Sequence, residues 1–193
     1  MSANSYGIVV EGGFDSDVYS TMIRRLARPD ARIHPRSCGG RPNLLRKFPS
    51  HLEGFKFVEA GRPVDMAVVI VDADGKDPDE LERSMRSRIA NRKYPFRLGV
   101  QFHAVQNAME AWLLSGVEAI ARVVQSRTGR VVTSTHGSPQ LLLHPKPFFR
   151  KLLIDHGIDY TSAVATEIAQ HVDLQVLSEK CSRFTVFARA VDC

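Results

Sequence analysis

Short runs of branched apolar residues, separated by segments with helical periodicity, dominate the pattern of this chain. The runs at 6–10 and 66–71 are almost continuously apolar and rich in Val and Ile, which is typical of strands buried on both faces of a parallel sheet. A further run covers 100–105, and a weaker one covers 31–34. Strands that alternate with helices along the chain predict an α/β fold.

The helices are predicted from their caps and from apolar residues that recur every three or four positions. Asp15 is a suitable N-cap for the first helix, and Asp77, followed by Pro78, for a later one. The segment 107–114 places Met109 and Trp112 on one buried face. We therefore expect an α/β core over 1–135, with a mostly parallel central sheet and helices on both faces. A C-terminal helical extension over 136–193 should pack on it.

Carboxylates follow the two strongest strand predictions. Glu11 comes directly after the first strand, and Asp72 and Asp74 follow the strand at 66–71. In open α/β sheets, ligands bind outside the carboxyl ends of the strands. Carboxylates gathered there without a cation repel one another, and a divalent metal relieves that repulsion. The sequence therefore predicts an all-oxygen site for Mg²⁺ or Mn²⁺.

Each acidic residue also has a purely structural interpretation. Asp72 and Asp74 fit a turn that follows a strand, and Asp15 fits a helix cap alone. Glu110 lies away from the apolar stripe of its helix, so a solvent-facing or structural role is as good an explanation as a functional one. Glu11 is harder to explain structurally, because it stands between a buried strand and two glycines.

The charge of the chain is compatible with a polyanionic partner. The net charge is +5 among 193 residues, and the isoelectric point is near 9.3. Lys146 belongs to a small basic group near 146–151. The largest basic group comes after the second acidic cluster: Arg83, Arg86, Arg88, Arg92, Lys93 and Arg97. These side chains form either a solvated helix face or a surface that binds the phosphates of nucleic acid.

Composition also limits the compartment and the kind of metal. No apolar stretch approaches the ~20 residues that a membrane span needs, and residues 1–5 do not resemble a signal peptide. The three cysteines form no C-x-x-C pair, which argues against a zinc site and for reduced thiols. We therefore expect a cytoplasmic protein that does not associate with membranes.

The order of the acidic motifs resembles the TOPRIM domain of topoisomerases, primases and OLD-family nucleases. Val10-Glu11-Gly12 ends the first strand, and Asp72-Ala73-Asp74 ends a later one, as in that domain. Asp15, four residues after Glu11, is similar to the second acid of the OLD type. Several later segments resemble small stand-alone bacterial TOPRIM-like proteins: Glu110-Ala111-Trp112-Leu113-Leu114, Pro145-Lys146, Tyr160 and Cys181-Ser182-Arg183-Phe184.

The resemblance implies a role for each acidic residue and a function for the chain. Glu11 would be the acid/base or metal-binding glutamate, Asp72 and Asp74 would hold Mg²⁺, and Asp15 and Glu110 would complete the acidic set. It implies an Mg²⁺-dependent nuclease or phosphodiesterase acting on DNA or RNA in bacterial phage defence. A separately encoded ABC-class ATPase is the implied partner. The alternative is a non-catalytic TOPRIM-like subunit of an ATPase-containing defence complex.

Two other phosphate-handling families share parts of this pattern. Asp72-Ala73-Asp74-Gly75 matches the start of the haloacid-dehalogenase phosphatase motif, but Lys76 stands where that family has Thr or Val. That motif would also begin its domain, whereas here a strand, helix and strand precede it. The P-loop sequence G-x-x-x-x-G-K-[ST] does not occur in the chain, which excludes a P-loop ATPase.

Overall fold

The computed structural model describes residues 3–132 and 137–192, and its centre is a four-stranded parallel sheet. The spatial order is β2-β1-β3-β4, with every neighbouring pair parallel. The strands are β1 (Ser5–Val10), β2 (Arg32–Ser37), β3 (Met66–Asp72) and β4 (Val100–Val105). The predicted α/β class is confirmed, and each predicted strand is present with small differences at its ends.

Helices cover both faces of the sheet and form the whole C-terminal region that the structure describes. Those of the sheet region are α1 (Gly13–Leu26), α2 (Arg41–Gly54), α3 (Pro78–Arg88), α4 (Glu110–Leu114) and α5 (Val117–Thr128). Those after residue 136 are α6 (Pro145–Asp155), α7 (Ser162–His171), α8 (Leu174–Lys180) and α9 (Ser182–Val191), preceded by a 3-10 turn (Pro139–Leu141). None of the helices in these described ranges is both long and apolar enough to cross a membrane. The predicted boundary at 135/136 falls outside the described residues.

The central strands divide their side chains between two cores because successive residues of a strand point to opposite faces. Ile8 and Val68 face the core that contains α1, α5 and the C-terminal helices. Val9 and Val69 face a smaller core with α2 and α3. All these residues are fully buried, which explains why both strands are apolar at consecutive positions.

Glycine at position 7 is required by the close approach of an aromatic ring. A Cβ atom at Gly7 would lie 2.4 Å from Cδ2 of Phe55, whose side chain is fully buried. The ring of Phe55 packs across β1 because position 7 has no side chain. A larger residue there would force the ring out of a close-packed core.

The outer edge of β4 is protected by a side chain of α3. The backbone N–H of Ala104 donates to Oε1 of Glu82 at 3.0 Å. Glu82 also accepts from Arg183 at 3.2 Å, which connects α3 to α9. An edge strand whose backbone donor is occupied is a poorer template for pairing with another chain.

The C-terminal helices pack directly on the sheet region. The hydroxyl of Tyr6, in β1, donates to the carbonyl oxygen of Val191 at 2.7 Å. Trp112 in α4 contacts Phe184 and Phe187 of α9, with ring centroids 5.0 and 5.4 Å apart. These aromatic residues belong to the larger core, so that core is built from both ends of the chain.

Candidate functional site

The candidate site lies where the strand order of the sheet reverses. From β1 the chain continues to β2 on one side, and it later returns to β3 on the other side. The carboxyl ends of β1 and β3 therefore flank a crevice of the kind that binds ligands in doubly wound sheets. Glu11 directly follows β1, and Asp72 is the last residue of β3. Oε1 of Glu11 accepts a hydrogen bond from the backbone N–H of Asp72 at 2.9 Å.

Asp72 is partly buried, and its charge interacts with those of the other four carboxylates of this group. Its Oδ1 accepts a hydrogen bond from the backbone N–H of Met109 at 3.3 Å. Burial raises the pKa of Asp72 well above its ordinary value, and the negative charges of Asp15 and Glu11 raise it further. Within residues 3–132 and 137–192, no Lys, Arg or His nitrogen lies within 4 Å of its carboxylate. The site therefore carries a partly buried acid with no cationic partner from the described chain.

Glu11 and its neighbours show the same electrostatic conflict. Burial raises the pKa of Glu11, and the charges of Asp74 and Asp15 add to the effect. The hydrogen bond from the Asp72 N–H and the charge of Arg41 oppose it without cancelling it. The carboxylates that the sequence predicted to gather at this edge are therefore close enough to repel one another.

Asp15 does not cap the first helix in the way the sequence predicts. Helix α1 begins at Gly13, its N-cap is Gly12, and Asp15 is at the third helical position. Oδ2 of Asp15 accepts a hydrogen bond from the backbone N–H of Gly12 at 2.8 Å. Burial raises the pKa of Asp15, and Glu110 raises it further. The N-cap prediction was wrong because Gly12 already has the extended backbone of a cap, one turn before Asp15.

Glu110 faces the interior and not the solvent. It is only 2% exposed, although it is the first residue of a short helix. The hydroxyl of Tyr160 donates to its Oε1 at 2.6 Å, and Nζ of Lys146 lies 3.7 Å from the same oxygen. Every residue of α4 is buried, since α5, α6 and α7 pack around it. A solvent-facing role for Glu110 is therefore excluded.

Asp74 lies at the outer side of the group, beside an arginine that the sequence analysis did not identify. Its backbone is left-handed, with φ of 46°, and its side chain is about half exposed. Nη1 of Arg41 lies 3.1 Å from Oδ2 of Asp74 and also donates to the carbonyl oxygens of Asp72 and Ala73. Arg41 reaches this edge because it begins α2, directly after the glycine turn that follows β2.

A buried tyrosine hydroxyl lies beneath the carboxylates. Tyr19 is 2% exposed, and its hydroxyl has no hydrogen-bond partner among the described residues. Burial raises the pKa of Tyr19, and the charges of Asp72 and Asp15 raise it further. Tyr19 lies one helical turn after Asp15 on α1, a spacing that places both on one face of the helix. That spacing was the signal in the sequence, but the apolar pattern alone classes Tyr19 as core.

The donor set suits a hard divalent cation in kind, although it is not arranged as a finished metal site. Carboxylate oxygens are the ligands that Mg²⁺ and Mn²⁺ prefer, and an orphaned buried hydroxyl is a further polar group without a partner. Among the described residues, no three His, Cys, Asp or Glu side chains are placed to hold a metal ion as they stand.

Lys146 lies beside the acidic group, whereas the other predicted phosphate-binding residues lie on α3 and on the segment between α3 and β4. Arg86 and Arg88 lie over the rings of Phe102 and Phe48 of the smaller core. The remaining four are distributed along α3 and the segment before β4: Arg83, Arg92, Lys93 and Arg97. Arg97 pairs with Asp65, just before β3, at the opposite edge of the sheet from Asp72. Binding of nucleic acid by this segment stays a prediction.

Comparison with known proteins identifies a family but no activity. Residues 10–192 match the family model described as "Domain of unknown function (DUF4276)". No curated protein matches the sequence.

Two solved structures are similar over nearly the whole chain. The C-terminal region of the OLD protein of Xanthomonas campestris pv. campestris is 17% identical with a TM-score of 0.48, and the match covers 95% of each chain. The C-terminal region of the Burkholderia pseudomallei OLD protein is 14% identical with a TM-score of 0.46, and the match covers 100% of each chain. At these values they establish no shared activity, and membership of the TOPRIM family itself stays a prediction.

Proposed function

Because this chain belongs to the DUF4276 family, whose description gives no activity, we propose a function from the site itself. The chain is a phosphodiesterase that depends on Mg²⁺ or Mn²⁺ and acts on nucleic acid. The observation that carries this function is the crowding of the partly buried Asp72 among four acidic neighbours, with no cation of the described chain within ion-pair distance of its carboxylate. Burial of uncompensated carboxylates costs folding free energy, and binding of a divalent cation offsets that cost.

The carboxylates at this edge are the ligands of the cation in the proposed site. Asp72, Glu11 and Asp74 hold the cation, with Asp15 and Glu110 as further oxygen donors on the same side. When bound, a divalent cation polarises phosphate oxygens and lowers the pKa of a coordinated water.

Two cationic side chains flank the carboxylates and fit a negatively charged substrate. Arg41 borders the site at Asp74, and Lys146 borders it at Glu110. Both side chains offset the negative charge of a phosphodiester that approaches the carboxylates. The Tyr160 hydroxyl keeps Oε1 of Glu110 in place by donating to it.

A cleavage assay with matched variants tests this function. Labelled DNA and RNA are incubated with the protein in Mg²⁺, in Mn²⁺ and in EDTA. Cleavage is expected with either metal and not in EDTA, and Asp72→Asn and Glu11→Gln are expected to remove it. Asp30→Asn and Glu118→Gln, which neutralise exposed carboxylates outside the cluster, are the controls and should keep wild-type activity.

Cleavage that persists in EDTA, or that survives both Asp72→Asn and Glu11→Gln, would show that the activity does not come from this site. The alternative, a non-catalytic interaction subunit, requires no cleavage by the wild type, with or without an added ATPase. A role in phage defence and an ABC-class ATPase partner stay predictions from the motif resemblance. Co-purification with ATPases encoded beside the gene is the direct test of the partner.

A further inference from the structure

A groove lies beside the carboxylates, between α6 and the start of α1. Its volume is about 660 Å³, within the range of small-molecule sites and large enough for a nucleotide. One side carries the aromatic residues Phe14 and Tyr160, and the other carries Lys146, Arg150 and Lys151 of α6. The groove therefore combines an aromatic wall with a basic wall.

The groove is continuous with the acidic site through three of its lining residues. Phe14 directly precedes Asp15 on α1. The hydroxyl of Tyr160 and the ammonium group of Lys146 both contact Oε1 of Glu110, at 2.6 and 3.7 Å. A chain of linked phosphates bound in the groove would thus extend toward the carboxylates.

The aromatic wall is rigid and partly open to solvent. The ring of Phe14 is packed against Tyr160 with a centroid distance of 5.3 Å, and Tyr160 is supported from behind by Phe149, also at 5.3 Å. Phe14 is nevertheless 38% exposed, which is unusual for a phenylalanine at the start of a core helix. A ring that is fixed by its neighbours and still exposed is a stacking platform for a planar ligand.

The basic wall supplies the charge that a phosphate requires. Lys146 is mostly exposed, and Lys151 is partly neutralised by Asp155 at 2.6 Å. Within the described part of the chain, Arg150 has no carboxylate within ion-pair distance. Positive side chains that follow a backbone, combined with an aromatic face, are how proteins bind single-stranded nucleic acid.

We propose that this groove binds an unpaired nucleotide of a single-stranded DNA or RNA, with its base on Phe14 and its phosphates on Lys146 and Arg150. This deepens the proposed function, on which it rests, by naming the substrate as a single strand or an unpaired end. In a duplex the faces of the bases are hidden in the base stack. A paired base therefore has to leave that stack before it can pack against the aromatic wall.

Fluorescence anisotropy in EDTA measures this binding without any cleavage. The probes are labelled oligonucleotides of about ten nucleotides, as single-stranded DNA, single-stranded RNA and the corresponding DNA duplex. Phe14→Ala and Arg150→Glu are the groove variants, and Phe14→Tyr keeps the ring. The controls are Phe57→Ala, which removes a 69% exposed ring elsewhere, and Arg62→Glu, which reverses an exposed charge near the opposite edge of the sheet.

The wild type is expected to bind a single strand more tightly than the duplex. Phe14→Ala and Arg150→Glu should each raise the Kd for the single strand about tenfold, as expected for loss of one stacked base or one phosphate contact. Phe14→Tyr, Phe57→Ala and Arg62→Glu should stay within about twofold of the wild type. Relative affinity for the DNA and RNA probes identifies which nucleic acid the groove prefers.

Equal affinity for single strand and duplex, no binding, or equal effects of the groove and control variants would overturn this assignment. These outcomes are separable from failure of the proposed function, because binding is measured without metal. If the protein shows metal-dependent cleavage but the groove variants bind a single strand as tightly as the wild type, only the assignment of the groove is refuted. Single-strand binding that depends on Phe14 in a protein without cleavage would refute the phosphodiesterase alone.

Discussion

Carboxylates occur at both ends of the parallel strands, which we call the amino edge and the carboxyl edge of the sheet. Their surroundings at these two edges are opposite. At the amino edge, Asp65 accepts hydrogen bonds from the Asn4 and Ser5 N–H groups and from Arg97. Burial alone would raise the pKa of Asp65, but these bonds outweigh it and hold the pKa below its ordinary value. At the carboxyl edge, burial and like charges raise the pKa of Asp72, and no cation pairs with it among the described residues.

The difference separates carboxylates that stabilise the fold from carboxylates that cost it free energy. Glu59 follows the first pattern, because bonds from His34 and Arg32 lower its pKa despite its burial. Glu11 follows the second. Acids that repel one another contribute little to stability, and their position at the strand-order reversal fits the ligand site that we propose.

The largest expected effect is on catalysis, and it compares one aspartate from each edge. Asp72→Asn should lower the rate of phosphodiester cleavage at least about a hundredfold, because it removes a charge that holds the metal. Asp65→Asn should leave the rate of the remaining folded enzyme nearly unchanged. The measurement is the initial rate of cleavage by each variant, divided by its folded fraction from circular dichroism. Similar losses in both variants would erase the functional distinction between the edges.

The next largest effect is on stability, and here the substitution of Asp65 should have the larger effect and that of Asp72 the smaller one. Asp65→Asn should lower the free energy of unfolding by about 2 kcal/mol, because two backbone N–H groups and Arg97 lose a charged acceptor. Asp72→Asn should leave the metal-free protein as stable as the wild type or more stable. Urea denaturation in EDTA measures both. A strongly destabilised Asp72→Asn would indicate that this carboxylate is structural.

Metal binding should stabilise only the protein with an intact carboxyl edge. At ten times its Kd, a cation that binds only the folded state adds about 1.4 kcal/mol, or a rise in Tm of roughly 3–6 °C for a chain of this size. The wild type and Asp65→Asn should show this rise with Mn²⁺ or Mg²⁺, and Asp72→Asn should not. An equal rise in all three proteins would place the cation outside the cluster.

The smallest effect is the dependence of stability on pH. The pKa of Asp72 is raised in the folded state, so its carboxylate lowers the free energy of unfolding once it ionises in the unfolded chain. This destabilisation is absent below the pKa of Asp in the unfolded chain, near 4, and grows as the pH rises toward the pKa of Asp72 in the folded state. The stability gained by Asp72→Asn over the wild type should therefore increase between pH 4 and pH 7 in EDTA. Asp65 has a lowered pKa, so its contribution is present above pH 4 and is lost on acidification. Unfolding curves at several pH values measure both slopes.

The sheet and its acidic edge could be predicted because the signals are local. Glu11 directly follows β1 and Asp72 ends β3, so both residues must lie at one edge once the two buried strands are parallel neighbours. Asp77 was also predicted correctly, since a cap depends only on the next few residues, and its side chain accepts from the N–H groups of Asp79 and Glu80. The gathering of the carboxylates required no information beyond strand order.

The features that the sequence analysis missed depend on packing between distant segments. The burial of Glu110 results from α6 and α7, whose positions no periodicity specifies. The arginines after Asp74 are close in sequence, but the crossover from β3 to β4 carries the chain back across the sheet, so that Arg97 ends at Asp65. Arg41, the first residue of α2, was overlooked because no acidic or apolar pattern beside it in the sequence marks it as part of a site.

The hydrogen bond from Tyr6 to Val191 has a consequence for how the chain is made. Strand β1 leaves the ribosome well before α9, yet part of its apolar face is covered by α9. Until α9 emerges, a nascent chain must keep Tyr6 and its neighbours exposed to solvent or to a chaperone. Contacts across 185 residues also imply slow closure of this core compared with the local helices. Ribosome-bound chains that stop before α9 should therefore be cleaved readily by protease, whereas released chains that include α9 should resist it.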